Sequence, residues 1–273
     1  MISLKTIYHW ANLFFKNNPK HDLKYLIMTA TNTNQTDYMN NIKIGILKVI
    51  KLKYFLVKYC FNKNVYHITH QKTWLDLELY VNKHVLVPRF ETESLIEHTK
   101  KLIDKYKIPL NIIDIGTGSG AIALAMKKIY PQANVTGIDI SKKALKVAIK
   151  NMANNNLVVN LLEKDLFKDT LNGYNIIISN PPYISKHEQV DSIVHKTEPH
   201  LALYADNDGL ACYEAILKNY QNIINKPTLF AFEIGYNQKD AINQLIKRYY
   251  PKAKVVNKKD FNNLNRFIFA IIE

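Results

Sequence analysis

The chain has 273 residues, 47% of them hydrophobic and 22% charged, which suits one large domain plus a small one, or one domain with an extension, around a sizeable core. No apolar run reaches the roughly 18 residues of a membrane-spanning helix, and "MISLKTIYHWANLFFKNN" lacks a small-residue cleavage site, so neither a membrane segment nor a secretion signal is expected. Lys and Arg number 37 against 23 Asp and Glu, a net +14, for which a partner rich in phosphates or carboxylates and the coding bias of an A+T-rich genome are equally good accounts.

Residues 1–64 read as a small domain of amphipathic helices over "SLKTIYHWANLFFK", "HDLKYLIMTAT" and "MNNIKIGILKVIKLKYFLVKYCF". Residues 71–87 switch to a shorter alternation, "TWLDLELYVNKHVLV", so that 65–90 are expected to form a β-hairpin linker turning at Asn82-Lys83. From residue 91 to 273 helix and strand alternate. "ETESLIEHTKKLIDKYK" is a helix and "NIIDIG" a buried strand; "GAIALAMKKIYP" is a helix stopped by Pro131 and "NVTGIDI" a strand. "SKKALKVAIKNMANNN" opens on a Ser141 cap, "VVNLLEKDLF" is a strand and turn, and "YNIIISN" is a fourth strand. The fold class is therefore α/β, a doubly wound and mostly parallel sheet with its ligands at the carboxyl ends of the strands. Two distant cysteines, Cys60 and Cys212, point to a reducing cytoplasm, and nine histidines without ligand spacing predict no metal site.

"DIGTGSGAIALA" follows a strand and opens a helix, with glycines at 116, 118 and 120. A dinucleotide fingerprint needs two residues between its second and third glycines, whereas here there is only Ser119. S-Adenosylmethionine, with a ribose and adenine but no pyrophosphate, is the alternative user of such a loop. Asp139, at the end of the next strand, suits both ribose hydroxyls, and the Asp165-Leu166-Phe167 turn after the third is placed to flank the adenine. The expected donor site is thus Gly116, Thr117, Gly118, Ser119, Gly120, Asp139, Asp165, Leu166 and Asn180.

The fourth strand runs into Asn180-Pro181-Pro182-Tyr183. A planar NH₂ group is a poor nucleophile because its lone pair is delocalised. The Asn180 side-chain oxygen and the Pro181 carbonyl can take its two hydrogens and stabilise the positive charge that develops on nitrogen. The prolines hold the backbone stiff, and Tyr183 offers a flat face to a planar group. Adenine, cytosine and a glutamine side chain all present such a group, and these four residues do not choose among them.

Taken together, these stretches resemble the PrmC/HemK family of bacterial release-factor glutamine methyltransferases. Pro88, Arg89, Thr92 and Glu93 match an early Pro-Arg-Pro-x-Thr-Glu segment, with Phe90 in place of its second proline. "DIGTGSGAIALA" and "NPPYIS" are similar to the donor and target motifs, "EPHLALYADNDGL" to the segment after them, and "FEIGYNQ" and "KDFNNLNRFIFA" to the last strands. Thr73, Trp74, Asp76, Ala205 and Asp206 depart from the family pattern.

The resemblance implies a class I S-adenosylmethionine-dependent methyltransferase fold with a helical N-terminal substrate-recognition domain. It implies methylation of the glutamine in the Gly-Gly-Gln loop of peptide chain release factors, in translation termination. Asn180, Pro181, Pro182 and Tyr183 would be the catalytic and target-binding residues, with Arg89 as a further substrate contact. A cytoplasmic monomer with no stable nucleic-acid partner is expected. Three alternatives are an adenine-directed DNA or RNA methyltransferase, a methyltransferase of a ribosomal-protein glutamine, and an RNA-binding module on an inactive fold.

Overall fold

Short apolar runs punctuated by glycine, proline and asparagine set the strands, and runs with a 3.6-residue period set the helices. The computed structural model describes residues 1–16, 18–61, 64–220 and 226–273. Contacts divide the chain into two units, Met1–Gln71 and Lys72–Glu273.

In the first unit a short strand β1 (Ile2–Ser3) leads into α1 (Leu4–Phe14), where the Ser3 hydroxyl accepts from the Thr6 backbone N–H at 3.2 Å. Helices α2 (Lys20–Thr31) and α3 (Gln35–Met39) follow, then β2 (Lys43–Ile44), α4 (Ile46–Phe61) and α5 (Val65–Thr69). Leu4, Ile7, Leu23, Leu26, Leu52 and Leu56 form its core, and the Tyr59 hydroxyl donates to Asp22 at 2.6 Å. The third helix expected from the sequence starts later than Met39. Asn41 takes a φ of +48°, Ile44 pairs with Ile2, and helix resumes only at Ile46. Sequence up to Gln71 carries ten lysines against two aspartates and no glutamate, so over half of the net charge lies in about a quarter of the chain.

The second unit begins with the hairpin β3 (Lys72–Trp74) and β4 (Leu77–Leu79). Its turn is Leu75-Asp76, both at positive φ, rather than the expected Asn82-Lys83. The physical reason is the core: Trp74 pairs with Leu77 and both are buried, which fixes the register and leaves two residues to turn. The chain beyond β4 is held by side chains. Asn151 bonds both backbone groups of Tyr80 (2.6 and 3.0 Å), and Asn155 bonds both of Glu78 (3.0 and 3.1 Å).

Then come α6 (Glu91–Tyr106), β5 (Asn111–Ile115), α7 (Ala121–Ile129), β6 (Asn134–Asp139), α8 (Lys142–Asn154), β7 (Asn160–Glu163) and β8 (Ile176–Ser179). The Ser141 hydroxyl caps α8 through the Ala144 N–H at 3.2 Å, and α7 ends just before Tyr130-Pro131. A loop region carries β9 (Ile184–Ser185), α9 (Ser192–Thr197), a 3₁₀ turn at His200–Ala202 and β10 (Tyr204–Ala205). The unit closes with α10 (Ala211–Tyr220), β11 (Thr228–Glu233), α11 (Lys239–Tyr249), β12 (Lys254–Lys259) and β13 (Asn265–Ile272).

Seven strands form one sheet in the order β12-β13-β11-β8-β5-β6-β7. From β11 to β7 all neighbours are parallel, and β13 is antiparallel to both its neighbours. The fourth parallel strand lies beside the first: β8 pairs with β5, Ser179 opposite Ile115. Ser179 is also opposite Phe232 of β11. Gly116, Asn180 and Glu233 therefore stand at equivalent positions on three adjacent strands, at the carboxyl edge where open α/β sheets bind ligands. Ile113, Ile177, Phe230, Phe232 and Ile268 lie in the core of this unit, where the Tyr213 hydroxyl donates to the Glu233 carbonyl at 2.7 Å.

Candidate active site

The glycine loop is a tight turn between β5 and α7. Gly116, Gly118 and Gly120 have φ of +74°, +54° and +81°, a region costly for any residue with a Cβ. A Cβ on Gly116 would meet nothing within 4 Å, so its backbone borders open space that a ligand can approach closely. The loop is tied down from below. The Asp114 carboxylate accepts from the Thr117 hydroxyl (2.6 Å) and the Ala123 N–H (3.2 Å), and Asn151 donates to the Ser119 carbonyl (2.8 Å). The other Asp114 oxygen is buried with no partner, and burial pushes this acid up to about 7.

Asp139 ends β6 facing the loop. One oxygen accepts from the Gly118 N–H at 2.9 Å and the other from the Ser141 N–H at 2.8 Å. Burial raises its pKa while those two donors pull it back. A carboxylate has about four acceptor positions, so two remain for ligand hydroxyls. Past β7, the Asp165 carboxylate accepts from the Phe167 N–H at 3.0 Å, and this bond holds its pKa below the usual range.

Gly116 to Ser119, Asp139, Asp165, Leu166, Asn180, Pro181, Pro182 and Arg89 all line one cavity of about 230 Å³. Gly120 does not line it; it packs instead on α8, where its Cβ would meet Ala148 at 3.1 Å. S-Adenosylmethionine fits this lining. An acceptor-only carboxylate faces the space, apolar Ile140 and Leu166 can flank a ring, and glycine backbone leaves room for the rest.

Asn180 to Tyr183 are held from several sides. The Ser179 hydroxyl donates to the Ile115 carbonyl (2.7 Å), joining the ends of β8 and β5. The Asn180 amide donates to the Thr92 hydroxyl (3.3 Å), which donates to the Glu233 carboxylate (2.7 Å). The Tyr183 carbonyl accepts from the Gln238 amide at 2.9 Å. Burial pushes Glu233 up to about 7, against the Thr92 hydrogen bond and the Arg266 charge, and burial also raises the Tyr183 phenol. A second, smaller cavity of about 120 Å³ is lined by Asn180, Pro181, Tyr183, Glu233, Arg89 and Leu86, so Asn180 and Pro181 stand between the two spaces.

Arg89 borders both cavities and pairs with Glu198 at 2.7 Å. Glu198 is buried and also accepts from the Val87 N–H at 3.3 Å, so it braces the entry to α6 against the segment after Asn180–Tyr183. Sequence reasoning singled out none of Asp114, Asn151 or Gln238. The acid of "DIG" was a usable signal, but an asparagine inside a helix and a glutamine before one carry none. Among the described residues no group of three or more His, Cys, Asp or Glu is arranged to hold a metal, and no helix is long and apolar enough to cross a membrane.

Residues 90–202 match the family described as methyltransferase small domain. A release factor glutamine methyltransferase of Streptococcus pneumoniae is 40% identical over 209 residues, covering 76% of this chain and 74% of the relative. The protein of that name from Mycoplasma mycoides is 35% identical over 253 residues, covering 89% of each. A solved methyltransferase structure from Pyrococcus furiosus superposes with a TM-score of 0.52 at 16% identity, over 79% of this chain and 96% of that one, a likeness of fold. With the donor-type loop, the Asn180–Tyr183 segment and these relatives in one chain, the protein belongs to the release factor glutamine methyltransferase family.

Proposed function

We propose that this chain transfers a methyl group from S-adenosylmethionine to the side-chain amide nitrogen of the Gly-Gly-Gln glutamine of peptide chain release factors, in translation termination, with S-adenosylhomocysteine as the leaving group and one amide proton released to solvent. The observation that carries the reading is the position of Asn180. It stands one residue beyond β8, between the ends of β5 and β11, on the wall common to both cavities. Family membership supports the substrate, and the geometry supports the means.

When bound, S-adenosylmethionine supplies an electrophilic sulfonium methyl. Gly116 to Ser119, Asp139, Asp165, Leu166 and Asn180 would hold it. The Asn180 Oδ1 and the Pro181 carbonyl accept the two hydrogens of the target amide, orient its nitrogen and stabilise positive charge as it develops there. Pro181 and Pro182 keep that carbonyl from swinging away. The Tyr183 ring gives the amide plane a surface to lie on, and Arg89, paired with Glu198, is a further substrate contact. In this reading residues 1–64 recognise the release factor, 65–90 link, and 91–273 catalyse. The protein acts in the cytoplasm as a monomer, without a stable nucleic-acid partner.

The test is mass spectrometry of the Gly-Gly-Gln peptide from a recombinant release factor incubated with S-adenosylmethionine and the protein, with Asn180→Ala alongside. One methyl on the glutamine, absent with the variant, is the expected result. An unmethylated release factor, with donor binding demonstrated by calorimetry, overturns the reading.

A further inference from the structure

We infer that Thr92 and Glu233 are positioning residues that set which end of the Asn180 amide faces the target, and that protonation of Glu233 reverses it. The catalytic consequence rests on the function proposed above; the hydrogen-bond chain does not.

The direction of the chain follows from counting protons. An ionised carboxylate only accepts, so the Thr92 hydroxyl, 2.7 Å from Glu233 Oε2, must spend its one proton there. Its oxygen can then only accept from its other neighbour, Asn180, 3.3 Å away. The NH₂ end of Asn180 is thereby committed to Thr92 and, directly, to the Glu233 carboxylate, which a hydrogen bond from Asn180 also stabilises, and Oδ1 is directed to the other side. A substrate amide that must give up two hydrogen bonds needs that oxygen, because an NH₂ in its place would set donor against donor.

A protonated Glu233 inverts the logic. The acid can donate to Thr92, the threonine proton is released toward Asn180, and the amide turns over to accept it. Glu233 is suited to this role by its surroundings: it is 2% exposed and lines the smaller cavity beside Asn180. The groups that face it are Arg266 from β13, Glu91 and Thr92 from α6, Asn180 and Tyr183 after β8, and Tyr213 from α10. Burial raises its pKa most, hydrogen bonds from Thr92 and Asn180 and the charge of Arg266 lower it, and Glu91 raises it, for a value of about 7. Such a group changes state within the range in which a cytoplasmic enzyme works.

The experiment has two arms on the full-length protein. Side-chain amide resonances of ¹⁵N-asparagine-labelled protein are followed from pH 5.5 to 8.5, with that of Asn180 identified by its loss in Asn180→Ala. The expected result is a shift with its midpoint near 7 that is abolished by Glu233→Gln, reduced by Thr92→Val and kept by Thr92→Ser. In the second arm, kcat on the release factor falls at least tenfold in Thr92→Val and Glu233→Gln while both KM values stay within about threefold, and Thr92→Ser restores it. The acid limb of the wild-type kcat profile disappears in Glu233→Gln.

An Asn180 resonance that does not titrate near 7, or an acid limb that persists in Glu233→Gln, overturns the inference. If Glu233→Gln fails to fold, the comparison of Thr92→Val with Thr92→Ser decides. A wild-type protein that methylates no release factor overturns the function instead, and leaves the spectroscopic arm as a complete test of the chain.

Discussion

The Gly209 backbone lies directly against the carbonyl oxygen of Tyr183, so closely that a Cβ at Gly209 would fall far inside van der Waals contact. Gly209 also has a φ of +81°. The last residue of the target segment thus rests on a position that only glycine can fill. Gly209→Ala is expected to lower unfolding stability by about 2 kcal/mol or more, read by urea titration. It should also reduce kcat more than donor affinity, because what a Cβ there would displace is Tyr183 and the Gln238 amide that holds it.

Asn180→Ala removes an acceptor and leaves the carboxyl edge of the sheet intact. Turnover is expected to fall by about two to three orders of magnitude, the usual effect of losing one preorganised hydrogen-bond partner of the transition state. Calorimetric affinity for S-adenosylmethionine should change less than tenfold. A large loss of donor affinity with a small loss of turnover would show that Asn180 serves the donor alone.

Asp139→Ala should do the opposite. The carboxylate holds the Gly118 and Ser141 N–H groups and presents its remaining acceptor positions to the donor cavity. Donor affinity is expected to drop at least tenfold, with the KM for release factor unchanged.

Arg89 is 37% exposed at its side chain, whereas its partner Glu198 is 1% exposed. Arg89→Met strands a buried carboxylate, and with solvent screening on the arginine side the expected cost is about 1–3 kcal/mol. If Arg89 also contacts substrate, the KM for release factor rises in the variant under conditions where it remains folded. An unchanged KM assigns Arg89 to bracing.

Asp114 gives a pH dependence of stability. Its folded pKa, about 7, is raised above the unfolded value of about 4. The folded state therefore binds the extra proton between those values, and the contribution to stability is complete below pH ~4 and lost as pH rises through ~7. Asp114→Asn cannot ionise. Its stability relative to wild type should rise across that window and level off above it, as measured by urea unfolding at a series of pH values.

Local signals made much of this molecule legible in advance. Apolar runs broken by glycine, proline and asparagine marked the parallel strands, and Ser141 and Pro131 marked helix limits, because capping and ring closure act within a few residues. The glycine loop, Asp139 and Asn180–Tyr183 were readable for the same reason, since each is a contiguous motif at the end of a strand. The hairpin turn was misplaced because two turn-forming residues at Asn82-Lys83 are a weaker determinant than burying Trp74 against Leu77.

The sequence by itself determined the alternation of elements, the class of sheet and the identity of the motif residues, all of which follow from spacing along the chain. Only the tertiary structure decided what holds those motifs in place. Thr92 meets Glu233 across 141 residues and Asn180 across 88, Asn151 reaches Ser119 and Tyr80, and Gly209 backs onto Tyr183. Such contacts depend on which strands become neighbours and in what register, and hydrogen bonds between distant residues leave no periodicity in the sequence to announce them.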